Sequence, residues 1–328
     1  MLQNKTILIG IISLAVVLSY LAGRYTGKTK GKEVAIRDMH ELKETRESGF
    51  RFISPLLECS DLAPSRMNAM ITLEKKLKDY IHQVKAEKRA THISIYFRDL
   101  SNGPWIGIGE SKPYSPASLL KVPIMIAALK KAEDEPGFLQ KKIIYKNHTD
   151  DNTQPNITDH ALIQLGNSYT VDDLINRMIA FSDNEAKNLL LMNIDEKFLN
   201  KVYSDLGIDI PGIRTPDDFM SVKDYSAFFR ILYNATYLNK PMSEKALGYL
   251  SKSNFTKGLP GKLPEGTLVA HKFGERGLSD SNIKQLHDCG IIYKPEAPYI
   301  LCIMTRGADF EELTSIIASA SLLVYENR

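Results

Sequence analysis

An α+β fold, with one sheet drawn from both ends of the chain and a helical middle packed beside it, follows from three observations. Strand-like runs occur near residues 92–109 and again across 268–305, amphipathic helical periodicity fills the stretch between them, and one more helix ends the chain. At 328 residues, 43% hydrophobic and 25% charged, with 3 Cys, the sequence is that of an ordinary folding chain. A disordered, collagen-like or disulfide-scaffold protein is excluded.

The first element is a membrane segment. TILIGIISLAVVLSYLAG, from Thr6 to Gly23, carries no charge, and at 1.5 Å per residue such a helix spans roughly 27 Å of a hydrocarbon core about 30 Å thick. A cleaved signal would need small residues ahead of the cut, and Tyr20-Leu21-Ala22 fits that pattern poorly, which favours an uncleaved single-pass anchor. Residues 1–23 are therefore read as anchor or signal, 24–66 as a charged tether, and 67–328 as the body. Arg24, Lys28, Lys30 and Lys32 follow the span while only Lys5 precedes it, a distribution that by itself puts the body in the cytoplasm. The first fifty residues hold eight Lys/Arg against five acids, so the whole +3 charge lies there and the rest is neutral. A neutral body argues against nucleic acid as a partner.

In the body, Leu73, Leu77, Tyr80, Ile81 and Val84 give a helix over 67–87. HISIYFRDL alternates as a strand, Asn102-Gly103-Pro104 turns, and WIGIG returns as a second strand, with Trp105 expected in the core. A helix runs from Ser118 to about Asp134. Thr170, with Asp173 three residues on, opens VDDLINRMIAF; EAKNLLLM, EKFLNKVYSDL, SVKDYSAFFRILYN (capped by Ser221) and SEKALGYL follow as helices. The Gly/Pro-rich TKGLPGKLPEG then leads into LVAHKFG, DCGIIYK and YILCIMT, three short apolar runs expected to be buried strands, and FEELTSIIASASLLVYE is the last helix. Cys289 and Cys302 sit in those runs and read as small buried thiols. Residues 24–50 read as partly helical and solvated.

Ser118-Leu-Leu-Lys121 puts an amine one helical turn after a hydroxyl, where a depressed amine pKa would let the lysine take the serine's proton. Ser281-Asn-Ile-Lys284 also fits the spacing, but lies in a polar connection between strands. Ser182-Asp183-Asn184 between helices and Lys272-Phe273-Gly274 on a strand complete a set. In order and element type these three resemble the Ser-x-x-Lys, Ser-Asp-Asn and Lys-Thr-Gly motifs of the class A β-lactamase and penicillin-binding serine hydrolase superfamily, from about residue 68 to the C-terminus.

The resemblance implies a β-lactamase/transpeptidase-like fold, a five-stranded antiparallel sheet with an all-helical subdomain. It implies Ser118 as acylated nucleophile, Lys121 as its base, Ser182 as proton relay, and the backbone N–H groups of Ser118 and Glu275 as the oxyanion hole. Asn184, Lys272 and Gly274 would bind substrate, Asp183 would be structural, and the substrate would be a β-lactam or a D-alanyl peptidoglycan peptide met outside the cytoplasm. In isolation, Ser182 could instead cap the following helix and Lys272 could be a surface lysine.

Two departures matter. The family deacylates with a Glu in a Glu-x-x-Leu-Asn motif on a long loop; Glu196-Lys-Phe-Leu-Asn200 matches as text but follows Asn184 by only twelve residues, on a helix. The loop is reduced to GIDIPGIRTPDDF, whose Asp217 and Asp218 read as caps of the next helix, so deacylation is expected to be slow. Phe273 replaces the hydroxyl residue that meets a substrate carboxylate, leaving Arg276 to compensate. Two alternatives stay open: a working β-lactamase, or a catalytically weak module that binds peptidoglycan or a partner protein. The seven His lack metal-ligand spacing and no Cys-x-x-Cys, phosphate loop or dinucleotide fingerprint occurs, so no metal or cofactor is expected.

Overall fold

Five antiparallel strands form the central sheet, in the order β4-β3-β9-β8-β7. β3 (His92–Asp99) and β4 (Trp105–Ile108) come from the N-terminal side, β7 (Val269–Gly277), β8 (Lys284–Ile292) and β9 (Tyr299–Gly307) from the C-terminal side. The computed structural model describes residues 41–62, 67–101, 103–147, 163–208, 216–277 and 282–328. The Thr6–Gly23 run and Ser281 lie outside these, and among the described helices none is long and apolar enough to cross a membrane.

Both faces of the sheet are covered, which is why β9 reads as an almost unbroken apolar run and why β8, although it carries Gln285, His287 and Asp288, is buried at every position after Lys284. On the rear face, α1 (Met67–Ala86) and α8 (Phe310–Asn327) enclose Ile93, Ile95, Phe97, Leu301 and Ile303. The front face, with Tyr96, Ala270, Cys289 and Cys302, meets the helical half of the molecule. That half contains α2 (Lys121–Asp134), α3 (Val171–Ala180), α4 (Asn184–Leu191), α5 (Glu196–Asp205), α6 (Val222–Asn234) and α7 (Lys240–Leu250). A two-stranded sheet, β5 (Lys142–Ile144) with β6 (Ser168–Thr170), leads into α3. The helices start where side chains satisfy their first N–H groups: Thr170 accepts from Asp173, Asp183 from Ala186, Ser221 from Asp224 and Asn239 from Met242.

Several features differ from the sequence reading. Residues assigned to the tether form β1 (Glu41–Arg46), paired antiparallel with β2 (Leu56–Leu62), which includes Cys59. Phe52 and Ile53, between them, are buried in the body. Their turn is held by Glu244 on α7, whose carboxylate accepts backbone N–H groups of Arg51, Phe52 and Ile53 at 2.9–3.1 Å. Cys289 and Cys302 are not free thiols: they face each other across β8 and β9 and form a disulfide. Trp105 is not core, since 45% of it is exposed. The cap before α6 is Ser221 alone, while Asp217 and Asp218 pair with Arg276 and Arg306.

Removing the Glu244 carboxylate strands three N–H donors at a half-buried turn. Glu244→Ala should lower unfolding free energy by about 1–3 kcal/mol in chemical denaturation, while Glu244→Asp recovers part of it.

Candidate active site

Ser118 lies in a 3₁₀ turn, Ala117–Leu120, that runs directly into α2. Lys121, the first residue of that helix, is one turn further on, and its Nζ is 3.1 Å from Ser118 Oγ. Ser182 closes the space from the other side, in the loop between α3 and α4. It does not cap α4; Asp183 does, with Oδ1 accepting from Ala186 N at 3.1 Å. Freed from capping, Ser182 adopts a left-handed backbone (φ 58°) that turns both its carbonyl and its hydroxyl toward Lys121, the Oγ at 2.9 Å. Ala117, beside the serine, is left-handed too (φ 47°). Such residues cost about 1–3 kcal/mol each and persist where the surroundings hold them.

Lys272 of β7 reaches the same hydroxyl, Nζ to Ser182 Oγ 3.1 Å, and donates to the carbonyl of Phe273 at 2.9 Å. The result is a continuous row: Ser118 hydroxyl, Lys121 amine, Ser182 hydroxyl, Lys272 amine. Both lysines are buried. Burial, then the charges of Lys272 and Lys187, holds the Lys121 amine well below the ordinary lysine range. Burial pushes Lys272 down to about 7, against the pull of Asp288 and Glu275. A neutral Lys121 has one lone pair for the Ser118 proton and two N–H donors for Ser182.

β7 is an edge strand, and Gly274 is what lets it approach the serine turn. A Cβ at Gly274 would come within 2.9 Å of Pro116 O and 3.1 Å of Leu119 N. Because the carbonyl of Phe273 accepts from Lys272, it points away from β8, and strand periodicity turns the Glu275 N–H the same way, toward the turn that carries Ser118. Asn184 is the first residue of α4, half-buried and next to the capping Asp183. Arg276 is shared between Ser115 Oγ (2.9 Å) and the exposed Asp217 (2.7 Å), so its guanidinium is already engaged. Phe273 is buried, its ring 4.6 Å from Phe255 and 4.1 Å from Lys272 Nζ. It supplies a cation–π partner to the buried amine, which is a different service from a hydroxyl at the substrate carboxylate. His271 turns to the other face of the strand and holds Asp288 at 2.8 Å.

One residue of this neighbourhood was not singled out in the sequence. Asn184, Lys187, Asn188 and Leu191 recur at helical spacing and are all half-buried, while Ala186, Leu189 and Leu190 between them are buried. Lys187 therefore shares the face of α4 that carries Asn184, and its charge acts on Lys121. The i, i+3 spacing from Asn184 was the available signal.

The carboxylates considered for deacylation are placed elsewhere. Glu196 is exposed in the first turn of α5. Asp217 pairs with Arg276, and Asp218 with Arg306 and Gln285.

Gly274→Ala should reduce acylation about 10²-fold by displacing one oxyanion donor, with unchanged folding by circular dichroism. Lys187→Gln removes a cation beside Lys121, so more of that amine is protonated at a given pH. The acid limb of the acylation rate should move to higher pH, and Lys187→Arg should restore it.

The Beta-lactamase enzyme family model matches residues 72–327. Beta-lactamase VEB-1 of Pseudomonas aeruginosa is 26% identical over 217 residues, which cover 61% of this chain and 71% of that protein. A class A β-lactamase from Bacteroides cellulosilyticus superposes with a TM-score of 0.66 at 17% identity, over 78% of this chain and 98% of its own. A single-site mutant of PBP-A, as an acyl-enzyme complex with penicillin G, superposes with a TM-score of 0.64 at 20% identity, over 78% of this chain and 96% of its own. With the family model covering most of the body, and both ends of the sheet and all three motif segments inside it, the chain belongs to the Beta-lactamase enzyme family and is a serine hydrolase of that type.

Proposed function

We propose that the protein forms an acyl-enzyme on Ser118 with β-lactams or D-alanyl cell-wall peptides and releases it slowly. The observation that carries this is the row Ser118, Lys121, Ser182, Lys272, which joins hydroxyls and amines and contains no carboxylate. Lys121 takes the Ser118 proton as Oγ attacks the carbonyl carbon. The oxygen, now negative, is met by the N–H groups of Ser118 and Glu275. Ser182 passes the proton from Lys121 to the departing nitrogen, and Lys272 keeps positive potential at the site and faces the substrate's acidic group.

Hydrolysis of the ester needs a base for water. Among the described residues, the three carboxylates considered for this role do not supply that assistance, worth about 10² to 10⁴ in rate: Glu196 is exposed and Asp217 and Asp218 are in ion pairs. The reading of a working β-lactamase requires a base that the row does not supply. A single-site mutant of PBP-A, a protein of the same fold, forms an acyl-enzyme complex with penicillin G, which supports acylation of this chain by analogy of fold.

We also propose that the body lies outside the cytoplasm, with the Thr6–Gly23 segment as an uncleaved anchor. The cations after the segment argue the other way. The Cys289–Cys302 disulfide supports the outside, because such bonds persist in oxidising compartments.

Incubation with benzylpenicillin should give one adduct by intact mass, mapped to Ser118, absent in Ser118→Ala and persisting after excess drug is removed. Rapid multiple turnover of a chromogenic cephalosporin would overturn the slow-release reading. No adduct at all would favour a non-catalytic binding module. Protease treatment of intact cells should cut the body; protection would place it inside.

A further inference from the structure

Behind Lys272 lies a buried acid that the row does not contain. Asp288 on β8 and His271 on β7 are both buried, with Oδ1 of the acid 2.8 Å from Nδ1 of the imidazole. Oδ2 accepts the backbone N–H of Leu259 at 2.8 Å. The loop that carries Leu259 closes over the carboxylate because position 258 is glycine, where a Cβ would come within 2.3 Å of Oδ2. The same loop supplies Phe255, whose ring lies 4.6 Å from that of Phe273, and the Phe273 ring in turn lies 4.1 Å from Lys272 Nζ.

Register sets this carboxylate against the amine. Asp288 pairs directly with Phe273, the residue after Lys272, and His271 is the residue before it. Acid and lysine project from opposite faces of the sheet, and both are fully buried, so little solvent screens one from the other.

The choice of partner keeps the charge available. A buried carboxylate needs hydrogen-bond donors. An imidazole supplies one N–H without a fixed positive charge, whereas a lysine or arginine at that position would cancel the carboxylate where it stands. Among the described residues, His271 is the partner that pairs with Asp288, and no lysine or arginine does.

The groups around Lys272 can be named element by element. Lys121 on α2 is the like charge, with Lys187 on α4 acting on Lys121, and Ser182 is neutral. Burial lowers the Lys272 amine to about 7, and the acids that oppose this are Asp288 on β8 first and then Glu275 on β7. Asp288 itself faces His271, the Leu259 N–H and Tyr225 of α6. Burial, and then the charge of Asp288, holds the Tyr225 phenol well above its ordinary range, so the acid is felt across the sheet.

We infer that Asp288, seated by His271 and by the Leu259 N–H, is the buried counter-charge of Lys272 and thereby a positioning residue for acylation. It holds negative charge behind the amine and leaves the substrate side of the site clear, so Lys272 meets an acidic substrate as an ammonium. The inference rests on the role of Lys272 in the proposed acylation. Without the counter-charge the amine loses its proton at lower pH, and the alkaline limb of the acylation rate moves down with it.

The test is the pH profile of acylation of the full-length protein by benzylpenicillin. In Asp288→Asn the alkaline limb should move down by about one pH unit, a tenfold change in the proton affinity of Lys272. His271→Lys, which neutralises the carboxylate in place, should move it the same way. His271→Asn, which keeps a neutral donor, should leave it where it is. The contrast between these two His271 variants decides the matter even where Asp288→Asn fails to fold. A purely structural pair would lower the rate by one factor at every pH, and an unmoved limb in His271→Lys would overturn the inference. In a Lys272→Arg background, where the side chain stays charged, Asp288→Asn should no longer shift the profile; a shift that survived there would also overturn it. Should the unsubstituted protein take up no penicillin at any pH, the acyl-enzyme reading falls. Carbon-13 NMR of the Lys272 ε-carbon, assigned by its loss in Lys272→Arg, then carries the test alone: a titration moved down in His271→Lys supports the counter-charge, and an unmoved one overturns it.

Discussion

Two primary amines buried on either side of one hydroxyl set the terms for everything around them. A buried ammonium is costly unless it is paired or loses its proton, and two beside each other cannot both stay charged cheaply. Lys121 and Lys272 share Ser182, and burial draws both amines below the ordinary lysine range. Three elements must converge for that arrangement: the start of α2, the loop before α4 and the edge strand β7. Each convergence has its own device. The α2 start is entered through the left-handed Ala117, the loop is turned by the left-handed Ser182 with Asp183 taking over the cap, and β7 closes in at Gly274. Phe273 and Phe255 then seal Lys272 from below, so the substitution that looks like a lost substrate contact in the sequence belongs to the burial that makes the lysine unusual.

The order of elements and the three motif segments were legible because they rest on local patterns: spacing along a helix, short apolar runs between turns, and side chains at fixed offsets. What stayed hidden depends on distant partners. Cys289 and Cys302 read as buried thiols, since the one-residue register that faces them across β8 and β9 is not written in either strand. Trp105 read as core because a lone tryptophan in a strand commonly is, and its exposure follows from β4 being an edge with Gly107 beside it. The segment around Phe52 looked like tether because its anchor, Glu244, is some two hundred residues away. Lys187 was overlooked although the helical spacing from Asn184 was there to be counted.

The ion pairs of the shortened loop bear on chemistry as well as on shape. Arg276 and Arg306 hold Asp217 and Asp218 on the far side of Ser115, and His287 secures Ser115 itself, with Nε2 donating to its carbonyl at 3.0 Å. Nδ1 of the same ring accepts from Thr305 N, so the imidazole is held neutral, and burial pushes its pKa down to about 4. The acids nearest the loop thus brace the turn that presents Ser118. Both carboxylates are committed to guanidinium groups beside that turn, which is the geometry on which the proposal of slow release rests.

The disulfide gives the sheet a further role. Cys289 and Cys302 occupy the middle of the cross-strand row that begins at Lys272 and ends under the indole of Trp105. Crosslinking β8 to β9 there joins the two strands that lie between the β3–β4 pair and the edge strand β7. Lys272, which pairs with Cys289, is therefore seated on a covalently joined pair of strands, so the amine that reaches Ser182 is held by the sheet's own crosslink as well as by its hydrogen bonds.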